Sequence, residues 1–253
     1  VEITVNVLPA PQVNNADISV CTTGNQAIFD LTSVQNTIST TPNATFQFYQ
    51  NQADAMAGNA NTIANPSAYT SASGIVYARV SVGQCYAIAT ITLTANPTPP
   101  TPVITASATN ICGTGTVTLT SSVTQGIVWS TGETTPSITV NTGGVYSVTA
   151  TQNGCSSSSA DITITHDPDP ALQITGNLSI CTGNDTTLTA VGNGNFVSYL
   201  WSNGATTPTI TVNTTGTYTV TVTTANGCQF QASATVTIGT APVVTCLLYT
   251  SPS

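Results

Sequence analysis

Apolar and polar residues alternate with a period of two through most of the chain, the pattern of strands with one face in a core and one in water. One such sequence segment occurs twice. Residues 129–146 run from Trp129 to Tyr146, and residues 201–218 repeat the segment without a gap from Trp201 to Tyr218. Each copy consists of Trp, a turn, an alternating strand, a second turn and Tyr. A self-match of this kind indicates repeated modules.

Prolines follow the alternating runs at 91–93, 162–164 and 236–238. Because proline cannot lie inside a central strand, we interpret these prolines as linkers between modules. The sequence therefore predicts five segments: residues 1–9 as the last strand of a preceding repeat, repeat 1 at 10–97, repeat 2 at 98–168, repeat 3 at 169–243, and a non-native-looking tail at 244–253.

The same alternation selects the residues that should face inwards. In repeat 2 these are Val117, Leu119, Trp129, Ile138, Val140, Tyr146, Val148, Ile162 and Ile164, and in repeat 3 they are Leu188, Trp201, Ile210, Val212, Tyr218, Val220, Val236 and Ile238. Asn153-Gly154 and Asn226-Gly227 are hairpin signals. The only helix-favouring stretch is 52–57, ended by Gly58. Six or seven short strands per repeat predict an all-β chain of three tandem Ig-like antiparallel β-sandwiches, arranged as beads on a string.

Composition narrows the class of protein. Of 253 residues only 4% are charged, with one Lys or Arg in total and a net charge of -8. A nucleic-acid partner is excluded, because no basic patch can displace counterions. No apolar run has the length of a membrane span. The surface must consist largely of hydroxyls and amides, which is typical of secreted β-rich stalk proteins. The hydrophobic content of 40%, placed in alternation, argues against disorder.

Seven cysteines are present, and six of them form matched pairs. In each repeat one cysteine ends the opening strand and another follows the last hairpin turn. Zinc would need closely spaced pairs, which are absent, so disulfides in an oxidising compartment are favoured. The predicted bridges lie within repeats, at one end of each sandwich, and Cys246 is left over. The predicted pairs are Cys21–Cys85, Cys112–Cys155 and Cys181–Cys228.

Repeats 2 and 3 resemble the Ig-like or PKD-like repeats of very large Bacteroidetes surface proteins. The resemblance is carried by residues 180–181, 188–190, 199–207, 216–222 and 226–228. Repeat 1 resembles a sister repeat of the same proteins through residues 29–32, 48–49, 53–58, 65–69 and 85–88. Many of those proteins are type IX secretion cargo, including gliding-motility adhesins. The resemblance implies an extracellular, cell-surface location and a mainly structural role.

Candidate chemistry is sparse. A Ser-His-Asp triad would need His166, which lies in a proline-rich linker. Catalysis by paired carboxylates would need two acidic residues in one cleft, but the nine acidic residues are scattered along the sequence. We therefore expect no enzyme and no cofactor. His166, Asp167 and Asp169 are interpreted as solvated linker residues. Their alternative is a calcium site at a repeat junction.

Four further residues have competing interpretations. Trp129 and Trp201 could be sugar-stacking platforms, but core anchors are favoured. Arg79 could pair with a carboxylate or have another structural role. Thr186, in Asp185-Thr186-Thr187, resembles the O-glycosylation motif of Bacteroidetes and is the glycosylation candidate.

The favoured function is a non-catalytic extracellular stalk or filament segment of a repetitive surface adhesin, whose partners are other repeats of the same chain. One alternative is a glycan-binding or adhesive module. Another is a self-assembling fibre subunit that donates residues 1–8 to the sheet edge of a neighbouring chain. An exposed aromatic cluster would favour the glycan-binding module, and a surface of Thr and Ser would favour the stalk.

Overall fold

A computed structural model of the protein describes residues 9–239. The predicted strand at residues 1–8, Cys246 and the tail at 244–253 lie outside the described residues. The chain divides into two compact units. Within the described residues, the first unit comprises 9–103, 123–134 and 148–159, and the second comprises 104–122, 135–147 and 160–239. Repeat 2 contributes strands to both units, and the repeat boundaries stay predictions.

The first unit contains three sheets. Alternating residues place one face of each strand inwards, as the sequence predicts. One sheet has the order β1-β6-β5-β3, a second pairs β2 with β4, and a third has the order β10-β13-β14. The strands are β1 (Ala16–Thr22), β2 (Ala27–Phe29), β3 (Thr45–Tyr49), β4 (Tyr69–Ser71), β5 (Gly74–Val82), β6 (Cys85–Pro97), β10 (Ile127–Trp129), β13 (Val148–Gln152) and β14 (Cys155–Ser158).

Two short α-helices and two 3₁₀ turns complete repeat 1, and one of the 3₁₀ turns is Pro66–Ala68. Helix α2 (Gln52–Ala57) confirms the predicted helix: Asn51 caps its N-terminus by accepting from the Asp54 amide, and Gly58 ends it at φ 63°. A second helical segment was missed. A 3₁₀ turn (Leu31–Val34) leads into helix α1 (Gln35–Ile38). The Asp30 side chain caps the 3₁₀ turn, and Leu31 and Ile38 are fully buried in the core of repeat 1, so local capping and burial outweigh helix propensity.

As far as residue 239, the second unit contains four sheets, ordered β11-β9-β7, β12-β15-β8, β16-β18-β20 and β17-β22-β21-β19. The strands are β7 (Ile104–Ala106), β8 (Asn110–Cys112), β9 (Val117–Ser121), β11 (Ser137–Val140), β12 (Gly144–Tyr146), β15 (Ile162–Asp167), β16 (Gln173–Thr175), β17 (Ser179–Cys181), β18 (Thr186–Val191), β19 (Phe196–Trp201), β20 (Thr209–Val212), β21 (Gly216–Thr224) and β22 (Gln229–Gly239).

The core of repeat 3 lies between two of these sheets. Leu188 and Ile210 come from β18 and β20, whereas Trp201, Val220 and Val236 come from the sheet that contains β22, and all five are buried in one cluster. Two sheets that bury one shared core form a β-sandwich. The predicted inward positions are buried in both repeats, except that Ile162, Tyr218 and Ile238 are half-buried. The all-β, Ig-like sandwich class is confirmed.

One feature departs from the antiparallel prediction. In every repeat the opening strand pairs parallel with the last strand: β1 with β6, β8 with β15, and β17 with β22. The remaining pairs are antiparallel. Each opening strand therefore runs towards the end of the repeat where the last strand finishes, and its cysteine is carried to that end.

Within residues 9–239, no helix combines the length and the apolar character that crossing a membrane requires.

Candidate functional site: two inter-repeat junctions

Two disulfides join different repeats. Cys21 is bonded to Cys155 and Cys112 to Cys228, with S–S distances of 2.06 Å and 1.95 Å. Each disulfide lies inside one compact unit. The predicted pairings within repeats, Cys21–Cys85, Cys112–Cys155 and Cys181–Cys228, are therefore wrong. The opening-strand cysteine of one repeat instead bonds the hairpin cysteine of the next.

Strand direction explains the correction. Cys21 lies opposite Asn96 near the end of β6, whereas Cys85 is the first residue of the same strand. Strand β6 has 13 residues. At about 3.3 Å per residue, it is on the order of 40 Å long. A disulfide needs Cα atoms within about 7 Å of each other, so Cys21 cannot reach Cys85. The parallel pairing of β1 with β6 thus prevents the predicted Cys21–Cys85 bridge.

The first junction consists of Cys21, Asn96, Asn153, Gly154 and Cys155. Cys21 is exposed, whereas Cys155 is only 1% exposed. The turn before Cys155 has φ of 50° at Asn153 and 79° at Gly154, so the Asn-Gly pair adopts the backbone that a tight hairpin requires. Asn96 Nδ2 donates to the Asn153 carbonyl at 3.2 Å. A neutral amide thus joins the last strand of repeat 1 to the hairpin tip of repeat 2.

The second junction consists of Asn110, Cys112, Asp167, Thr224, Asn226 and Cys228. Asp167 lies opposite Cys112 in the parallel pair, which is the position that Asn96 occupies opposite Cys21. Its carboxylate accepts from Thr224 Oγ1 at 2.5 Å and from Asn226 Nδ2 at 2.6 Å. Asn110 Nδ2 donates to the Asn226 carbonyl at 3.3 Å. Hydrogen bonds to a carboxylate are stronger than those between neutral groups. The hairpin tip of repeat 3 is therefore held more firmly than the hairpin tip of repeat 2.

The three candidate metal ligands bind protein groups. A ring nitrogen of His166 lies 2.8 Å from the Gly113 carbonyl, and Asp169 accepts from the Ala171 amide at 2.9 Å. Asp167 and Asp169 do line one open cavity of about 320 Å³, together with Asn193, Asn195 and Asn226. Among the described residues, no group of three or more His, Cys, Asp or Glu side chains is placed to hold a metal ion. The structure therefore brings the two carboxylates together but not the predicted set of three.

The tryptophans are core residues, as predicted. Trp129 and Trp201 are each 2% exposed, and the Trp201 indole donates to the Thr207 carbonyl at 2.9 Å. The two tyrosines that end the repeated sequence segment make equivalent hydrogen bonds. The Tyr146 hydroxyl donates to the Thr142 carbonyl at 2.7 Å, and the Tyr218 hydroxyl to the Thr214 carbonyl at 3.1 Å. This side-chain anchor, a hydroxyl bonded to the backbone a few residues upstream, is typical of Ig-like sandwiches.

Arg79 has a structural role. Its guanidinium donates to the carbonyls of Ala55 and Met56 at 2.8 Å and 2.9 Å, at the C-terminal end of α2. Positive charge stabilises that end of a helix. The guanidinium also lies 3.4 Å from the centre of the Tyr86 ring. Tyr86 is 40% exposed, and it is the only aromatic residue among the exposed large hydrophobic side chains of the described chain.

The glycosylation candidate is not accessible. Thr186 is the first residue of β18 and is 6% exposed. Its motif gave no information on burial, since the alternation that places Leu188 inwards also places Thr186 on the inner face. A folded repeat therefore does not expose the Thr186 side chain, and glycosylation of Thr186 stays a prediction.

One comparison with known protein families bears on the bonding pattern. Residues 17–99 match the Flavobacterium inter-domain disulphide bond domain. This segment contains Cys21, and the bond from Cys21 to Cys155 leaves the matched segment. The resemblance to Bacteroidetes repeats is supported to this extent. No curated protein is similar enough to count as a relative of the chain.

Several solved structures match the chain at low sequence identity and low TM-score. Murine CEACAM1b is 13% identical, with a TM-score of 0.34, covering 59% of this chain and 96% of that chain. The eight N-terminal Ig domains of Down Syndrome Cell Adhesion Molecule are 10% identical, with a TM-score of 0.29, covering 94% of this chain and 37% of that chain. A Bacteroides ovatus glucan-utilisation protein, SGBP-B, solved with a mixed-linkage heptasaccharide, is 14% identical, with a TM-score of 0.20, covering 94% of this chain and 70% of that chain.

Proposed function

We propose that the chain is a non-catalytic extracellular spacer, a stalk segment of a repetitive surface adhesin of the gliding-motility kind. The observation that carries the proposal is the bonding of one repeat to the next by Cys21–Cys155 and Cys112–Cys228. A disulfide inside a repeat would stabilise that repeat alone. A disulfide from one repeat to the next transmits tension across the linker, which is the property that a load-bearing spacer requires.

The surface supports the same function. Both tryptophans are buried, so neither can stack on a sugar. The exposed faces of the paired strands carry hydroxyls that bond one another across the strands, as Thr149 does with Ser158, Thr151 with Ser156, and Thr217 with Thr235. A surface rich in neutral hydroxyls stays hydrated with few charged groups, and with one histidine in the sequence it offers little for a nucleophile–base pair. We accordingly propose that the chain carries no enzymatic activity and needs no cofactor.

Mechanical extension of the full chain tests the spacer function. The two disulfides enclose sequence separations of 134 and 116 residues. A fully extended chain spans at most about 3.3–3.6 Å per residue. Pulled from its two ends under oxidising conditions, the chain should therefore release far less length than the same chain under reductant. The variant Cys155→Ser/Cys228→Ser, pulled without reductant, should behave as the reduced chain does.

Three results would contradict the proposal. If the double variant and the oxidised chain release the same length at the same force, the disulfides carry no load. Binding of the purified chain to one glycan class on an array, with a Kd well below 1 mM, would favour the adhesive alternative instead. Hydrolysis that a single substitution abolishes would show that the chain is an enzyme.

A further inference from the structure

The three opening-strand cysteines occupy one position in the fold. Cys21, Cys112 and Cys181 lie at or next to the end of β1, β8 and β17, each in the strand that pairs parallel with the last strand of its repeat. The first two are bonded to the hairpin cysteine of the following repeat. Cys181 is a free thiol and is exposed. Its two counterparts thus show, within the same molecule, what partner this position binds.

The backbone around Cys181 is already in the bonded arrangement. At the second junction, the residue after the cysteine, Gly113, donates its amide to the carbonyl of Asp167 at 2.8 Å. In repeat 3 the residue after Cys181, Thr182, donates its amide to the carbonyl of Gly239 at 3.3 Å. Gly239 lies opposite Cys181 as Asp167 lies opposite Cys112. No rearrangement of the strand pair is therefore needed to receive a hairpin.

We propose that Cys181 is the docking thiol for the hairpin cysteine of a further Ig-like repeat of the same kind, and that the two form a third inter-repeat disulfide. This inference rests on the proposed spacer function and names its partner. The two thiols lose two protons and two electrons to a disulfide-bearing oxidant, which is released as two thiols. In solution, oxidised glutathione can be this oxidant, and it is reduced to two molecules of glutathione.

The third position differs from the other two junctions in the residue opposite the opening-strand cysteine. Asn96 and Asp167 each bind the incoming hairpin with a side chain, whereas Gly239 has none. A Cβ added to Gly239 would lie 4.0 Å from the Ile180 carbonyl, which is ordinary contact. The third junction therefore relies on the disulfide and the backbone, and an aspartate at 239 should strengthen it as Asp167 strengthens the second.

The test inserts a second copy of residues 168–239 between Gly239 and residue 240 of the full chain, so that Cys181 is followed by a hairpin of known sequence. The protein is equilibrated in a glutathione redox buffer, alkylated and mapped by mass spectrometry without reduction. The expected bridge joins Cys181 to the hairpin cysteine of the inserted copy, while the Cys181 equivalent of that copy is alkylated. With Cys181→Ser, the inserted hairpin cysteine should be alkylated instead.

The outcomes separate the two proposals. If Cys21–Cys155 and Cys112–Cys228 form but Cys181 stays alkylatable, or bonds Cys246 or a second Cys181, the docking inference is overturned and the spacer function stands. If the existing bridges fail to carry load in the extension experiment, the spacer function falls whatever Cys181 does. Gly239→Asp in the longer chain should raise the bridged fraction several-fold at a fixed glutathione ratio. No rise would show that position 239 does not correspond to Asp167.

Discussion

The first and second junctions each contain one disulfide, but they differ in the contacts around it. In the first, the neutral side chain of Asn96 donates one hydrogen bond to the hairpin backbone. In the second, the Asp167 carboxylate accepts two hydrogen bonds from Thr224 and Asn226, and Asn110 adds a third. The disulfide therefore fixes which repeats are joined, and the residue opposite the opening cysteine sets how firmly the hairpin tip is held.

The largest effect should come from breaking either disulfide. The chain-entropy estimate for loops of this length gives a loss of about 4–5 kcal/mol in the free energy of unfolding. Cys155→Ser and Cys228→Ser each remove a bridge that closes a loop. The two loops have similar sequence separations of 134 and 116 residues, so the losses in the free energy of unfolding, measured by urea denaturation, should be nearly equal. Cys181→Ser is the matched control and should change stability by less than about 0.5 kcal/mol. A far greater loss for Cys228→Ser would mean that non-covalent contacts dominate the second junction.

The second prediction isolates the polar contacts. Asp167→Ala removes two charge-assisted hydrogen bonds from a half-buried site and should cost about 1.5 kcal/mol, whereas Asn96→Ala should cost about 0.5 kcal/mol. Both disulfides are kept, and denaturation is followed in urea. A double-mutant cycle of Asp167→Ala with Asn226→Ala should give a coupling energy of about 1 kcal/mol. A coupling energy near zero would show that the hydrogen bond between Asp167 and Asn226 does not stabilise the folded state.

The third prediction compares the two tyrosine contacts in the second unit. Tyr146 is 5% exposed, whereas Tyr218 is half-buried. Tyr146→Phe should therefore cost about 1 kcal/mol and Tyr218→Phe only a few tenths, because water can satisfy the Thr214 carbonyl more readily than the Thr142 carbonyl. Thermal denaturation of both variants measures the difference. Equal losses would indicate that the exposure of the ring does not matter.

The smallest expected effect concerns pH. It measures a contribution to acid stability that comes from Asp54 and not from either junction. Asp54, in α2 of the first unit, has a pKa below its ordinary value of 3.8, first because Asn59 donates to it and then because Asn51 does. A lowered pKa contributes stability that is complete above pH 3.8 and is lost as the pH falls through the pKa of the folded state. Asp54→Asn should therefore lose less stability than the wild type between pH 5 and pH 3 (about one unit either side of the ordinary range). An unchanged pH profile would refute this role.

The sequence predicted the strands well because burial of one face enforces a period of two. Trp129 and Trp201 were placed in the core correctly for that reason. It did not predict the helical turn after Asp30, since this turn depends on a single capping side chain and on burial of Leu31. The motif Asp185-Thr186-Thr187 does not indicate the burial of Thr186, which follows from the alternation that includes Leu188.

The cysteine pairing failed for a physical reason that composition does not show. Each repeat has one cysteine at either end, and which ends meet depends on the direction of β1 against β6. Alternation is identical for parallel and antiparallel pairs, so it cannot distinguish them. The role of Asp167 could not be predicted either, since its partners Thr224 and Asn226 are far away in sequence.

The spans of the two disulfides overlap, because Cys112 precedes Cys155 along the chain. Every peptide bond between Cys21 and Cys228 is therefore bypassed by at least one sulfur bridge. A protease that cuts once anywhere in this interval leaves both fragments covalently attached to each other. An array joined in this staggered way would survive single nicks in any of its loops without shedding the domains beyond the cut, and only a second event, reduction or another cleavage, could release them.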